Sequence, residues 1–267
     1  TVYSTGREDG LGRMAQLIRF YQILGSLTTK NSYDACFAHM QPMFAVLSAP
    51  ILTLRGIKVT TWYTHRQLNR MVQLAEKLSF RVVSAVKSSF PVDSPKLRPL
   101  GHGIDTDFFQ PDYRAKSHPP RIVQVARLTE IKHQHILLDA IHDIDCEVVF
   151  VGDIPDGYDD AYKQKLQQQV ETQELSEKVI FAGAQTPQQV LEWYNSATIA
   201  VNLSPQGLFD KGALEGMACA LPTIVSNPAF ATITGEYQSL LHIPAPDDTQ
   251  ALTIALKKIL TLSIEDR

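Results

Sequence analysis

Ser204-Pro-Gln-Gly-Leu-Phe-Asp-Lys-Gly-Ala-Leu-Glu-Gly-Met-Ala-Cys-Ala-Leu-Pro-Thr-Ile-Val-Ser226 is the stretch from which the rest of the chain is read. Apolar residues 199–203 predict a buried strand that runs into a loop holding Gly207 and Gly212, then into a helix whose acid, Glu215, follows Lys211 by one turn. In an open parallel sheet, this layout brings loop amides, the positive end of a helix and a fixed carboxylate to the carboxyl edge of the strands, where ligands bind. A phosphate-bearing, hydroxyl-rich ligand fits such an edge. The same residues also fit an ordinary helix after a buried strand, with Lys211 and Glu215 as an i,i+4 pair. Lys before Glu is the weaker order for that pair, and a Glu near a helix start also serves the helix dipole.

Working outward, strands and helices alternate on both sides of this stretch. The first half predicts helices at residues 13–27, 43–55 and 67–78, and strands at 33–39, 57–63, 81–85 and 96–100; residues 1–4 read as the interior of a strand. The pattern restarts with strands at 121–125, 147–151, 178–181, 199–203 and 223–225, interleaved with helices at 133–141, 160–173 and 187–195, the helix through Glu215, and one beginning near Asp248. Such alternation predicts parallel sheets covered on both faces. The expected division is a partial first domain at residues 1–103, a linker at 104–120 containing a polar, Pro-bearing stretch, and a second domain at 121–267. A cleft between two such sheets is a common place for a small-molecule site.

The chain has 267 residues, 44% hydrophobic and 20% charged, which is enough for two cores. Its net charge of -3 and scattered basic residues exclude a general attraction to nucleic acid. Cys36, Cys146 and Cys219 lie far apart in apolar segments without metal-ligand spacing, so they read as reduced core thiols and point to a cytosolic setting. The longest apolar run, residues 43–54, is too short to span a bilayer and contains Pro50. Both ends are abrupt, so the chain reads as a fragment.

A second cluster, Val123-Gln-Val-Ala-Arg127-Leu-Thr-Glu-Ile-Lys132-His, ends a strand on Arg127 and opens a helix at Lys132. A guanidinium fork and an ammonium at one cleft edge hold a diphosphate and stabilise it as it departs. The alternative for such a pair is a solvated Arg and Lys flanking Glu130.

These segments resemble the retaining GT-B glycosyltransferases of the large group 1 family. Ser204, Phe209, Leu214, Glu215, Met217, Ala218, Pro222 and Ser226 fall in register with its donor-sugar segment, and Arg127, Leu128 and Lys132 with its G-R-L-x-x-x-K-G pattern. Gly101-His-Gly103-Ile-Asp105 through Pro111 resembles its N-G-V-D-x-x-x-F-x-P linker, residues 148–155 its V-G-x-G-P turn, and residues 178–183 its V-x-F-x-G strand. Ala126 and His133 stand where the family has glycines, His102 where it commonly has Asn, and Gly207 where it has the first Glu of a Glu-x7-Glu pair; Asp210-Lys211 is a further departure.

The resemblance implies an α/β protein with two Rossmann-like domains facing across a cleft, the first domain incomplete here. It implies retaining transfer of a hexosyl-type sugar from a nucleotide-diphosphate donor to an acceptor hydroxyl, with no metal or cofactor required. Arg127 and Lys132 would clamp the diphosphate, helped by Asp210, Lys211 and Gly212 at the start of the helix. Glu215 would hold the ribose hydroxyls, and Ala182 and Gly183 would meet the base through backbone atoms. His65, in Thr64-His65, would reach the donor sugar. Gly103 and Asp105 have a structural reading as a tight turn and its cap. His39 is equally well a satisfied structural residue, and Arg66 and Arg70, taken as one helical turn apart, either meet an anionic acceptor or form a wet helix face.

Acceptors remain open among saccharides, lipid-linked molecules and small molecules; a lipid-linked acceptor implies peripheral contact with the inner face of the membrane. Gly207 favours a rival, a nucleotide-sugar-binding pseudoenzyme or inactive fragment. Gly10-Leu-Gly12-Arg-Met-Ala15 fits a dinucleotide fingerprint and keeps a nucleotide-dependent oxidoreductase as a weaker alternative, but polar residues 5–9 separate it from the preceding apolar segment, and Asp34 precedes a strand instead of ending one.

Overall fold

The computed structural model describes residues 1–112 and 119–263, so part of the expected linker lies outside the described residues. The chain divides into two compact units, Thr1–Gly101 and His102–Arg267.

The first unit carries a parallel sheet of β1 (Ala35–His39), β2 (Lys58–Trp62), β3 (Arg81–Ser84) and β4 (Leu97–Pro99), in that order. Helices α1 (Arg13–Lys30), α2 (Pro42–Leu54) and α3 (Arg70–Leu78) accompany it. Its core gathers Ala38, Ala45, Leu52, Ile57, Val59 and Ala75, with a second cluster of Tyr63, Val72, Val82, Phe90 and Leu97. Two expectations are corrected here. Residues 1–4 form no strand: they are exposed, β1 pairs with β2, and the Ser4 hydroxyl accepts from the Gly6 amide at 3.0 Å. The third helix starts at Arg70, because the Asn69 side chain caps it by accepting from the Val72 amide at 3.0 Å, which leaves Arg66 in the preceding loop. Gly10 and Gly12 belong to the loop that opens α1, with Gly12 at its N-cap.

The second unit is built on β5 (Arg121–Val125), β6 (Glu147–Val151), β7 (Val179–Gly183), β8 (Ile199–Asn202) and β9 (Thr223–Val225). All pairings are parallel, in the order β7-β6-β5-β8-β9. These strands are apolar runs because both faces are covered. Ile122, Val148, Phe150, Ile199 and Val201 pack on one face with the core of α4 (Gln134–Ala140), α5 (Ala161–Thr172) and α10 (Thr249–Thr261). Val123, Val149, Val151 and Ala200 pack on the other, around Tyr194 of α6 (Pro187–Ser196). The Thr186–Gln189 capping box starts α6, and the Asp248 carboxylate accepts from the Ala251 amide at 2.9 Å to start α10. After β8 comes α7 (Lys211–Ala218), and after β9 the short helices α8 (Ala231–Thr234) and α9 (Gln238–Leu241).

Residues after Gly101 ride on this second unit. His102 stacks on Phe209, Phe109 meets Tyr194 edge-on, and the Asp112 amide donates to the Asn195 side chain at 2.8 Å. The Asp105 carboxylate accepts from the Phe108 amide at 3.1 Å, the expected turn cap.

Candidate functional site

In the second sheet the chain runs from β5 through β6 to β7 in one direction and then crosses back to β8 and β9 on the other side of β5, so the β5/β8 boundary is the topological switch point. Loops leaving the carboxyl ends of those two strands part there and open a crevice. The loop after β5 bears Arg127 and Lys132, and the loop after β8 leads into Asp210 and α7.

The Arg127–Lys132 loop is anchored at both ends by buried glutamines. Gln124 Nε2 donates to the Lys132 carbonyl at 2.7 Å, and Gln134 Nε2 donates to the Arg127 carbonyl at 3.0 Å. Both side chains are almost wholly buried, and neither Oε1 has a hydrogen-bond partner among the described residues. Lys132 closes a 3-10 turn, and His133 follows it in the left-handed region at φ 54°, which supplies the backbone form a glycine favours. Arg127 itself is exposed.

Lys132 is not a free cation. Its ammonium donates to Asp210 Oδ2 and, at 3.1 Å, to the Ser204 hydroxyl. The Ser204 hydroxyl donates to the same Asp210 oxygen, as does Asn202 Nδ2 at 3.2 Å. The Lys132 side chain is only 11% exposed and that of Asp210 25%. Asp210 occupies the N-cap of α7 yet its side chain caps no amide, because the carboxylate turns toward Lys132. Asn227 braces the preceding loop by donating to the Pro205 and Leu208 carbonyls at 3.2 and 3.0 Å, and inside it Gly207 is buried at φ 93°.

The first turn of α7 lies against the end of β5. A Cβ added to Gly212 would sit 2.8 Å from the Val125 carbonyl oxygen, so the helix approaches this closely only with glycine there. The Tyr194 hydroxyl donates to the Gly212 carbonyl at 2.7 Å. Glu215, one turn on, is partly buried: desolvation raises its pKa, while Lys211 and the Tyr194 hydroxyl pull it down. Burial, reinforced by the Glu215 charge, pushes the Tyr194 phenol well above its ordinary range. Burial and then Lys211 lower the pKa of His102 on the neighbouring segment.

Beside Arg127 opens a cavity of about 620 Å³, lined by residues 125–127 and 151–156 with Tyr158, Ala184, Gln185 and Val190. Gly152 lets its floor close up, since a Cβ there would stand 2.2 Å from the Ala126 carbonyl. Gly183, at φ 70°, backs this wall by accepting from the Gly152 amide at 2.8 Å. The Ile154 amide and the Lys163 ammonium, at 2.8 and 3.0 Å, hold the Asp153 carboxyl below its ordinary pKa.

Thus Lys132, Asp210, Lys211, Gly212 and Glu215 gather at the switch point, while Arg127 lines the adjoining cavity that Gly183 backs. In the first unit, exposed His65 lies beyond the end of β2, its Nδ1 accepting from the Gln67 amide at 3.1 Å. Sequence reasoning missed Asn202, Tyr194, Gln124 and Gln134. For Asn202, Gln124 and Gln134 the available signal was a polar side chain inside an otherwise apolar strand or at a helix start; Tyr194, in the last turn of α6, gave none. Among the described residues no three His, Cys, Asp or Glu side chains cluster as metal ligands would, and no helix is long and apolar enough to cross a membrane.

An open parallel sheet with a helix start at its switch point is the Rossmann-like arrangement, in which ligands bind at that crevice. The chain belongs to the group 1 glycosyltransferases: residues 119–262 match the family described as "Glycosyl transferases group 1". Its fold is the GT-B fold, and similar solved structures include glycosyltransferases. HepE from Anabaena, in complex with UDP and glucose, is 17% identical with a TM-score of 0.75 over 94% of this chain and 74% of its own. Sucrose-phosphate synthase from Thermosynechococcus elongatus is 18% identical with a TM-score of 0.75, over 94% and 71%. The pneumococcal O-GlcNAc transferase GtfA, in complex with UDP and GlcNAc, is 13% identical with a TM-score of 0.66, over 92% and 53%. No curated protein matches the chain in sequence.

Proposed function

We propose that this glycosyltransferase moves a hexosyl-type sugar from a nucleotide-diphosphate donor to an acceptor hydroxyl with retention at the anomeric carbon. The observation that carries the reading is the meeting of Lys132, Asp210, the α7 start and Glu215 at the switch point, beside the cavity that Arg127 lines. Arg127 and Lys132 bear on the diphosphate and neutralise the charge that builds on the departing oxygen, so the scheme calls for no metal ion or cofactor. Glu215 accepts from the ribose hydroxyls. Its raised pKa reflects a carboxylate short of solvent, which gains from hydroxyl donors. The base meets the Ala182 and Gly183 backbone, and His65 serves the donor sugar. The acceptor is a saccharide, a lipid-linked molecule or a small molecule. Because HepE and GtfA were solved with UDP, uridine nucleotides come first in any test.

One observation supports a second reading. Gly207 offers no side chain where the family carries its first Glu, and its φ of 93° does not suit one. That is consistent with a domain that binds a nucleotide sugar without turning it over. Calorimetry with uridine and guanosine diphosphate sugars, paired with a turnover assay on the full-length protein, separates the two. Arg127→Ala is expected to reduce kcat/KM by about 2–4 kcal/mol of transition-state stabilisation, as loss of one preorganised donor does. Near-normal turnover in that variant removes the clamp, and binding with no transfer leaves the second reading standing.

A further inference from the structure

We infer that Asp210 is a charge-discriminating residue, which tunes the Lys132 site to accept a diphosphate diester and to let go of the nucleoside diphosphate left after transfer. The inference rests on the sugar-donor reading above. The geometry is that of a cation already half satisfied. Two of the three ammonium hydrogens of Lys132 go to Asp210 and Ser204, leaving one for a phosphate oxygen. The carboxylate is held in place by Ser204 and Asn202, which are buried, so it does not swing away when an anion arrives. It also sits at the α7 N-cap without capping, so a fixed negative charge stands where the helix start would otherwise be purely attractive to anions. Arg127, exposed, and Lys211, at the first position of α7, keep the neighbourhood attractive overall.

The chemistry supplies the discrimination. In the transfer, the bond between the anomeric carbon and the β-phosphate oxygen breaks with its electron pair on that oxygen. A new bond forms to the acceptor oxygen, whose hydrogen leaves as a proton. The donor diester carries two negative charges, whereas the product diphosphate carries nearly three at neutral pH, since a phosphate monoester loses its second proton near pH 6. With the terminal phosphate held by Lys132, as proposed above, the third charge spreads over that phosphate's oxygens and lies close to Asp210. One added charge about 5–8 Å from a fixed carboxylate, partly screened by water, amounts to about a tenfold loss of affinity. Asp210 thus weakens product retention more than donor capture.

The test is titration calorimetry on the full chain, wild type and Asp210→Asn, with three probes: UDP, UDP-glucose, and UDP esterified with methanol on its terminal phosphate. The methyl ester has the charge of the donor and no sugar. Asn keeps the shape and hydrogen bonding of Asp210 and removes its charge; Asp210→Ser replaces it if the Asn variant does not fold. The expected result is that all three probes bind the variant more tightly, with the gain for UDP about tenfold larger than the gain shared by UDP-glucose and the methyl ester. Equal shifts for all three probes overturn the inference, because they mark a general change in Lys132 or in packing. So does a loss confined to UDP-glucose, which marks Asp210 as a sugar contact. If neither these nor the guanosine counterparts bind the wild type, the donor reading itself falls, an outcome distinct from binding without discrimination.

Discussion

Gly212→Ala probes the close approach on which the site is built. The added methyl would stand 2.8 Å from the Val125 carbonyl oxygen and 3.4 Å from the Tyr194 hydroxyl. The first neighbour is backbone of a buried strand, so the helix start must move instead. Overpacking of this kind costs about 1–3 kcal/mol, offset by up to about 1 kcal/mol because Ala favours helix over Gly. The expected net loss is about 1–2 kcal/mol, which lowers a urea midpoint by about 0.5–1 M. Trp193 fluorescence in a Trp62→Phe background reports on the second unit alone. Gly25→Ala in α1, read by Trp62 fluorescence in a Trp193→Phe background, is the matched control: nothing lies within 4 Å of its added Cβ, so there the same substitution gains about 0.5–1 kcal/mol in the first unit's transition. Equal or greater stability of the Gly212 variant refutes the claim that glycine is required for α7 to meet β5.

Glu215 sets a pH dependence. Its pKa is raised above the ordinary 4.5, so its contribution to stability is fully present below that value and is lost as pH rises through the folded-state value. Glu215→Gln is expected to flatten that fall in melting temperature between weakly acid and neutral pH, and an unchanged slope refutes it. Gly207→Glu, which restores the family's first acid, is expected to destabilise by about 1–3 kcal/mol because a bulky residue enters a left-handed backbone. It is expected to gain no affinity for UDP-glucose; a stable variant that binds the donor more tightly contradicts the account of this loop.

The sheet of the second unit was legible because its inner strands are buried on both faces and so read as mainly apolar runs between turns. The helices through Glu215 and after Asp248 were legible from their spacing and caps. Residues 228–241 were not, since they form short helical pieces with too few turns for a period to emerge. The segment at residues 1–4 has strand-like composition without a partner, which sequence pattern alone does not reveal. At the site, the cations proposed to meet phosphate stand out in local spacing, but the contact between Lys132 and Asp210 joins positions 78 residues apart and depends on how β5 and β8 are placed side by side. His133 shows the limit of matching letters: its left-handed backbone keeps the turn that a glycine would have signalled.

The two buried glutamines that grip the Arg127 and Lys132 carbonyls have a kinetic consequence. A phosphate loop that must first order itself spends affinity on lost chain freedom and slows capture, as induced closure does. With both carbonyls already held by these glutamines, the proposed donor-binding role predicts capture governed by diffusion and long-range attraction, with differences among ligands emerging in how fast they leave.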